Sequence, residues 1–437
     1  MRYLFVHQNF PGQFSHVATA LAARGHDVVA LGVNKPARPV PGVRHVIYRQ
    51  HVPAAVAPAS PLGCGLDELR LKVARGEAAA RAMQALQKEG WEPDVVVAHP
   101  GWGETFFTKD VFPAAKLVVY AEYFYGNQDG DVGFDPEFSQ RSVVTAQRVR
   151  VKNTHLIHAL SDCDLAISPT QFQKSQHPEW AQERIRVIHE GIDTRRFRPN
   201  AQASVHLNTA GVTLRAGDEV VTFVVRQLEP YRGYHIFMRA LPLLQQLRPN
   251  ARVVLVGAEG ISYGSAPPKG KTWKDIFLAE VAPRLDMSRI HFVGHVPHAV
   301  LTQLMQVSAA HVYLTYPFVL SWSLMEAMSI GCLIVGSDTA PVRELIEHGR
   351  NGILTDFFDF QALARCTANA LERRGELAPL RAAARETIVR GYDLASQCLP
   401  AQVALLEQLY CVRSYQKELI VSLGISQLNN SKVLVPA

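Results

Sequence analysis

The sequence predicts an α/β protein made of two successive parallel-sheet domains, and three observations carry that reading. A length of 437 residues corresponds to two or three domains at roughly 100–200 residues each. Short runs rich in Val, Ile and Leu alternate with longer segments of helical period, and this series occurs twice with a break between. The runs are apolar throughout, as expected of strands buried on both faces by crossover helices.

The first series opens with RYLFVH, followed by a helical stretch over 12–23, HDVVALG, a long helical stretch over 65–89 and PDVVVAH. It continues through KLVVYAE, a helical 139–161, DLAISPT and RIRVIHEGID, which ends at Asp193. Residues 194–218 lack a sustained apolar period and carry the Pro, Asn and Gly of a linker. A second series then runs VVTFVVR, helical 233–247, RVVLVG, helical 275–285, IHFVG, helical 298–307, HVYLTY, helical 322–330 and LIVGSD. Residues 360–410 read as helical, with 395–410 placed to pack back across the first domain, while the tail from 411 receives no assignment. The expected division is therefore 1–194, 195–392, and a crossover helix and tail over 393–437. Open parallel sheets bind ligands beyond the carboxyl ends of their strands, so the site is expected in the cleft between the domains.

Composition narrows the function classes. With 48% hydrophobic and 19% charged residues the chain is neither disordered nor collagenous. Its formal charge of +6 forms no basic stripe or tail, which argues against nucleic acid as a partner. No apolar run reaches the roughly 18 residues of a membrane helix, and the opening MRYLFVHQNFPGQF turns too early for a signal-peptide core. Six cysteines, at 64, 163, 332, 366, 398 and 411, include no Cys-x-x-Cys, so neither a disulfide framework nor a zinc site is expected. A cytoplasmic setting follows, with peripheral contact at the inner face of the membrane as a further expectation.

Dinucleotide and P-loop fingerprints are both missing. One G-x-S-x-G occurs at Gly260–Gly264, but it runs into SAPPKG instead of turning into a helix, so it reads as a loop. His295 and His298 have no third ligand nearby and read as unrelated to zinc. In the second domain, the strand ending at Arg226 leads through QLEPYRG to Arg232 at a helix start. Two guanidiniums there can converge on one anion beside a helix amino end. The competing reading braces Arg226 against Glu229. Over 311–356 a strand ends at Thr315, a loop carries Leu320, Ser321, Trp322 and Ser323, and Glu326 falls in the first turn of a helix. Amides of 321–323 then point at an anion and Glu326 accepts from a diol such as ribose, or Glu326 merely favours the helix dipole.

These segments resemble glycosyltransferase family 4. SLMEAMSIGCLIVGSD is similar to the family's LxEAMAxGxPVV segment, PVRELIEHGRNGIL to its PEIIxxGxNGxLV segment, RQLEPYRG to its RxxEPxKG turn, and VIHEGIDTRRFRP to its VIPNGVDxxxFxP linker. The resemblance covers residues 1 to about 410 and implies the GT-B fold of two facing Rossmann-like domains. It implies a retaining, metal-independent glycosyltransferase that takes a nucleoside-diphosphate-sugar as donor, needs no cofactor, and glycosylates a hydroxyl acceptor such as a glycan, a lipid-linked glycan or a small molecule. By the same resemblance Arg226 and Arg232 bind the donor diphosphate, Glu326 holds the ribose, and residues 320–323 supply amides to the phosphates. Gly12, with Gln13 after it, stands in the glycine-rich loop near the donor, and His99 lies beside the transferred sugar. Without the resemblance, His99 reads equally as a strand-end histidine satisfied by backbone.

Two departures stand out. Phe318 occupies the position of the family's first signature glutamate, which meets donor-sugar hydroxyls, and the loop at Gly12 has one glycine instead of two. Further along, AEYFYGNQDGDVGFDPE offers Glu122, Tyr123 and Tyr125 as acceptor-binding residues, with a solvated acidic loop as the other reading and no fit to a calcium loop. Arg148, Arg150 and Lys152 read first as a solvated helix face and second as a surface for an anionic acceptor or lipid. Two rivals to a transferase are carried: a silent nucleotide-sugar-binding scaffold, motivated by Phe318, and an epimerase or hydrolase of the same fold.

Overall fold

The computed structural model describes residues 1–34, 36, 39–49, 63–126, 130–139, 141–208 and 210–409. Asp129, and the part of the C-terminal tail from 410 onward, lie outside them.

Seven strands form the first sheet: β1 (Arg2–Val6), β2 (Asp27–Gly32), β3 (Val43–Ile47), β4 (Val95–Ala98), β5 (Lys116–Tyr120), β6 (Leu165–Ser168) and β7 (Ile185–Val187), ordered 3-2-1-4-5-6-7. All its pairings are parallel. The second sheet, after an antiparallel hairpin of β8 (Ser204–Leu207) and β9 (Val212–Arg215), contains β10 (Val220–Gln227), β11 (Arg252–Ala258), β12 (Ile290–Gly294), β13 (Ala310–Tyr313), β14 (Ile334–Ser337) and β15 (Ile353–Thr355). Its order, 12-11-10-13-14-15, is again parallel throughout. In both sheets the order in which strands are added reverses beside the first strand, at β1/β4 and β10/β13, and there the loops separate to leave a crevice.

The apolar runs are buried on both faces, as their composition requires: Val220, Val221, Thr222 and Phe223 are fully buried, and Leu4, Phe5 and Val6 likewise. The linker departs from expectation. Its alternation SVHL and VTLR, too short to stand out in the sequence, makes the hairpin, whose Val205, Leu207 and Leu214 join the second-domain core. The helical reading of 139–161 also divides, into Val143–Lys152 and Thr154–Asp162 about Asn153. Residues 360–409 hold helices Phe360–Glu372 and Ala378–Gly391, a wide turn at Leu394–Cys398 and a helix over 399–409. That last helix returns to the first domain, where Val403 and Leu406 enter the core with Tyr3 and Val17, and Glu407 pairs with Arg24 and His26.

A second tie runs the other way. Residues 130–139 leave the first domain and dock on the second: Phe134 stacks on Phe358 at 5.1 Å, and Phe138 meets His235, Trp273 and Phe277. Among the described residues no helix is long and apolar enough to cross a membrane, and Cys163, Cys332, Cys366 and Cys398 are unpaired.

Candidate active site

A cleft of about 950 Å³ opens between the carboxyl ends of the two sheets, at both reversal points. From the first domain, His7 follows β1 and His99 follows β4, so the parallel topology alone brings the two rings to 5.3 Å. Each is fixed by a short-range bond: the Asn9 amide donates to His7 Nδ1 at 3.0 Å and the Gly101 amide to His99 Nδ1 at 3.0 Å. Because each Nδ1 accepts, it is Nε2 that carries the proton in the neutral form of either ring. His7 Nε2 donates to Gln13 Oε1 at 2.9 Å, and Gln13 Nε2 donates to Glu122 Oε1 at 2.9 Å. The other oxygen of Glu122 lies 3.4 Å from His99 Nε2. Burial, followed by the positive charge a protonated His99 would carry, brings the pKa of His7 down to about 3, so its ring is neutral. For Glu122, burial pushes upward, but hydrogen bonding and charge from His99, with His7 and Gln13 adding to them, hold the carboxyl below its ordinary range.

Gly12 is required by this network. Its φ is +47°, and a Cβ there would lie 2.5 Å from His7 Nε2. Trp102 completes the floor, with its ring 4.9 Å from His7 and 4.7 Å from His99. Neither His7 nor Trp102 stood out in the sequence; the available signal was position, since both follow strands whose carboxyl ends face the cleft.

From the second domain, Arg226 is exposed at the end of β10 and lines the cleft, with no ion pair among the described residues. The brace to Glu229 does not form. Glu229 is fully buried, and its Oε2 accepts from the amides of Ser262, Tyr263 and Gly264 at 3.2–3.3 Å. This anchors the G-x-S-x-G segment as a loop, and the next helix starts only at Trp273. Arg232 is 5% exposed, and its Nη1 donates to Thr315 Oγ1 at 2.8 Å and to the Val319 carbonyl at 2.9 Å. It lies 5.3 Å above the Tyr263 ring and has no carboxylate partner among the described residues. Gly233, at φ +67°, lets the following helix abut β13, because a Cβ there would meet Leu314 Cβ at 2.4 Å.

Ser321 caps the helix Trp322–Ile330, its Oγ accepting from the Ser323 amide at 3.3 Å, while its own amide donates to the Tyr313 hydroxyl at 2.9 Å. The Trp322 indole donates to Glu190 Oε2 at 3.1 Å across the cleft, and Leu320 lines the same wall. Burial raises the Glu190 carboxyl to about 7, only partly opposed by a backbone hydrogen bond and Trp322. Glu326 falls one turn deeper than the first turn expected of it. It is buried, and its Oε1 meets His298 Nε2 at 3.1 Å, outside the cleft lining itself.

Phe318 is 3% exposed and sits among Tyr123, Tyr125, Tyr231 and Tyr263. An apolar cluster spanning both domains thus replaces the signature carboxylate. The acidic and aromatic segment after Glu122 separates into two parts. Glu122, Tyr123 and Tyr125 all line the cleft, with the Tyr123 hydroxyl donating to the Pro317 carbonyl at 2.8 Å. Asp131, Asp135 and Glu137 do not face solvent together as an acidic loop would; they are drawn into the interdomain contact. Asp131 accepts from the Tyr123 and Tyr231 hydroxyls, Asp135 from Tyr316 at 2.8 Å, and Glu137 takes Arg239 on both oxygens at 2.7 and 2.9 Å. Ligand atoms of Asp135, Glu137 and His235 lie within 4.8 Å of one another, but Arg239 and Tyr316 already satisfy the two carboxylates.

Comparison with known proteins agrees with this architecture. Residues 24–197 match the family described as glycosyl transferase family 4 group, and residues 209–387 match glycosyl transferases group 1. The chain is 26% identical over 396 residues to a glycogen synthase of Mycobacterium tuberculosis, covering 86% of each chain. It is 24% identical over 227 residues to a D-inositol 3-phosphate glycosyltransferase of Streptomyces avermitilis, covering 51% of this chain and 47% of that one. Among solved structures, Anabaena HepE in complex with UDP and glucose superposes with a TM-score of 0.64 at 20% identity, over 93% of this chain and 99% of that one. Sucrose-phosphate synthase from Thermosynechococcus elongatus superposes at 0.68 with 16% identity, over 94% and 100%.

Proposed function

The chain belongs to the glycosyltransferases of family 4, with the two facing domains of the GT-B fold, and on that premise we propose that it moves a sugar from a nucleoside diphosphate to a hydroxyl acceptor with retention of configuration. The observation that carries this reading is the pair of cations on the second-domain wall. Among the described residues Arg232 is buried without a carboxylate and Arg226, at the end of β10, lines the same cleft without an ion pair, so this wall calls for an anion of about the charge of a diphosphate. UDP in the HepE complexes supports a nucleoside diphosphate as that anion and makes UDP the first nucleotide to try.

In the proposed reaction the bond from the sugar C1 to the diphosphate breaks as the acceptor oxygen bonds to C1 on the same face. As that bond breaks, negative charge develops on the leaving phosphate oxygen against Arg226 and Arg232, and a phosphate oxygen takes the acceptor proton, so the diphosphate departs with the charge it had in the donor. Those guanidiniums supply the positive charge, so the reaction needs no divalent cation. By the family resemblance Glu326, whose Oε1 is held by His298 outside the cleft lining, is the proposed partner of the ribose hydroxyls. Gly12 and Gln13 approach the donor from the first domain, and His99 Nε2, beside Glu122, faces the sugar.

A transfer assay in chelator tests this. Arg226→Ala is expected to lower kcat about a hundredfold or more, the scale of losing one transition-state donor, while wild-type rates persist without metal. Near-normal turnover in Arg226→Ala, or loss of wild-type turnover in chelator, would count against it. Phe318 favours one second reading, a binding-only protein; saturable nucleotide binding with no donor turnover identifies that case.

A further inference from the structure

The half of the cleft opposite the two arginines has its own charge pattern, which the donor reading leaves unused. Lys72 and Arg75, on helix Gly63–Lys88, Lys152, at the end of helix Val143–Lys152, and His155, in the next helix, all line it. Lys72 is 5% exposed; its Nζ lies 2.8 Å from Glu68 Oε1 and donates to His155 Nδ1 at 3.4 Å. Burial, followed by the charge of Lys72, lowers His155 to about 3, so the ring is the neutral acceptor this contact needs. Arg75 has a buried Nε with no hydrogen-bond partner. Lys152 lies 3.8 Å above the Tyr125 ring, and neither it nor Arg75 enters an ion pair among the described residues.

Three cations thus converge where Glu68 is the one carboxylate in direct ion-pair contact among the described residues, while Glu104 acts on Arg75 and Asp131 on Lys152 without such a contact. Holding like charges together on two helices is unfavourable unless something anionic offsets it. The reading of Arg148, Arg150 and Lys152 as a solvated face holds for the first two, which are exposed, while Lys152 turns into the cleft. A lipid surface does not reach such a recess; a compact anionic group on a soluble molecule does.

We propose that Lys72, Arg75 and Lys152 bind an anionic substituent of the acceptor, a phosphate monoester or a carboxylate, and so select charged over neutral acceptors. This rests on the donor reading above, because it assumes the donor fills the opposite wall. The test is calorimetric titration of inorganic phosphate into the full chain saturated with the nucleoside diphosphate it binds, so that Arg226 and Arg232 are already occupied. One phosphate per chain is expected, weakened about tenfold or more in Arg75→Gln and in Lys152→Gln, with nucleotide affinity unchanged in both. Glucose 6-phosphate and glucuronate, each against glucose, then separate the two sources of charge, and the charged sugar is expected to bind about tenfold or more tighter. Absence of phosphate binding to the loaded chain, unchanged binding in both variants, or parity of both charged sugars with glucose overturns the proposal. Failure of every nucleotide to bind the wild type counts against the donor reading instead; phosphate is then titrated into Arg226→Ala, and the effect of adding Arg75→Gln decides.

Discussion

Glu190 shows how one buried carboxyl records the cost of an interdomain contact. It is 7% exposed, accepts from the Trp322 indole, and has His189 Nε2 at 3.2 Å. Burial holds His189 near 4, so that ring is neutral near pH 7 and cannot offset a negative charge. The folded pKa of Glu190, about 7, is above its ordinary 4.5. A raised value favours the folded state at low pH, and this advantage is lost as pH rises through the window from 4.5 to about 7. Above that window the ionised group costs on the order of 3 kcal/mol. Glu190→Gln keeps an acceptor for the indole and removes the charge, so Tm is expected to rise at pH 8 and change little at pH 4.5. An equal shift at both pH values would show that its burial, not its ionisation, sets the effect. The same residue was silent in the sequence: nothing in HEGID distinguishes a tuned carboxyl from a solvated one.

At the scale of elements, the segment 130–139 is the least expected feature. Its composition, acidic and aromatic, fits an exposed sugar-binding loop as well as a strap, and only the facing surface decides between them. Here the second domain supplies Tyr316, Phe357 and Phe358 for Phe134, and His235 for Asp135 at 3.0 Å. Phe134 and Phe138 are partly buried, so truncating each costs less than the about 3–5 kcal/mol of a fully buried Phe, but these contacts lie between domains. Phe134→Ala combined with Phe138→Ala is therefore expected to split thermal unfolding into two transitions and to enlarge the radius of gyration in solution scattering. A single transition at the wild-type Tm would mean the strap does not hold the domains. Strands were legible for the opposite reason: β1, β10 and β11 are apolar on both faces, which no loop or amphipathic helix tolerates. The hairpin at 204–215 was not, because four-residue strands are too short for their alternation to stand out from a linker.

Over the whole molecule, two sheets of one topology place their reversal points face to face, and the site follows from that placement. Arg226, Arg232, His99, Gly12 and Gln13 were readable because their motifs fix where a strand ends and a turn begins. The partners of those residues were not readable. His7, Lys72 and Arg75 reach the cleft from distant positions, and Glu229 turns away from Arg226 to bind three amides, choices made by tertiary packing. The central claim is that the second-domain wall is built for a nucleoside diphosphate, and its most direct test needs neither sugar nor acceptor. Calorimetric titration with UDP, GDP, ADP and TDP should give saturable binding of one of them, weakened about tenfold or more in Arg226→Ala. Folded wild-type protein that binds none of the four, or a variant that binds as tightly as the wild type, would contradict the account.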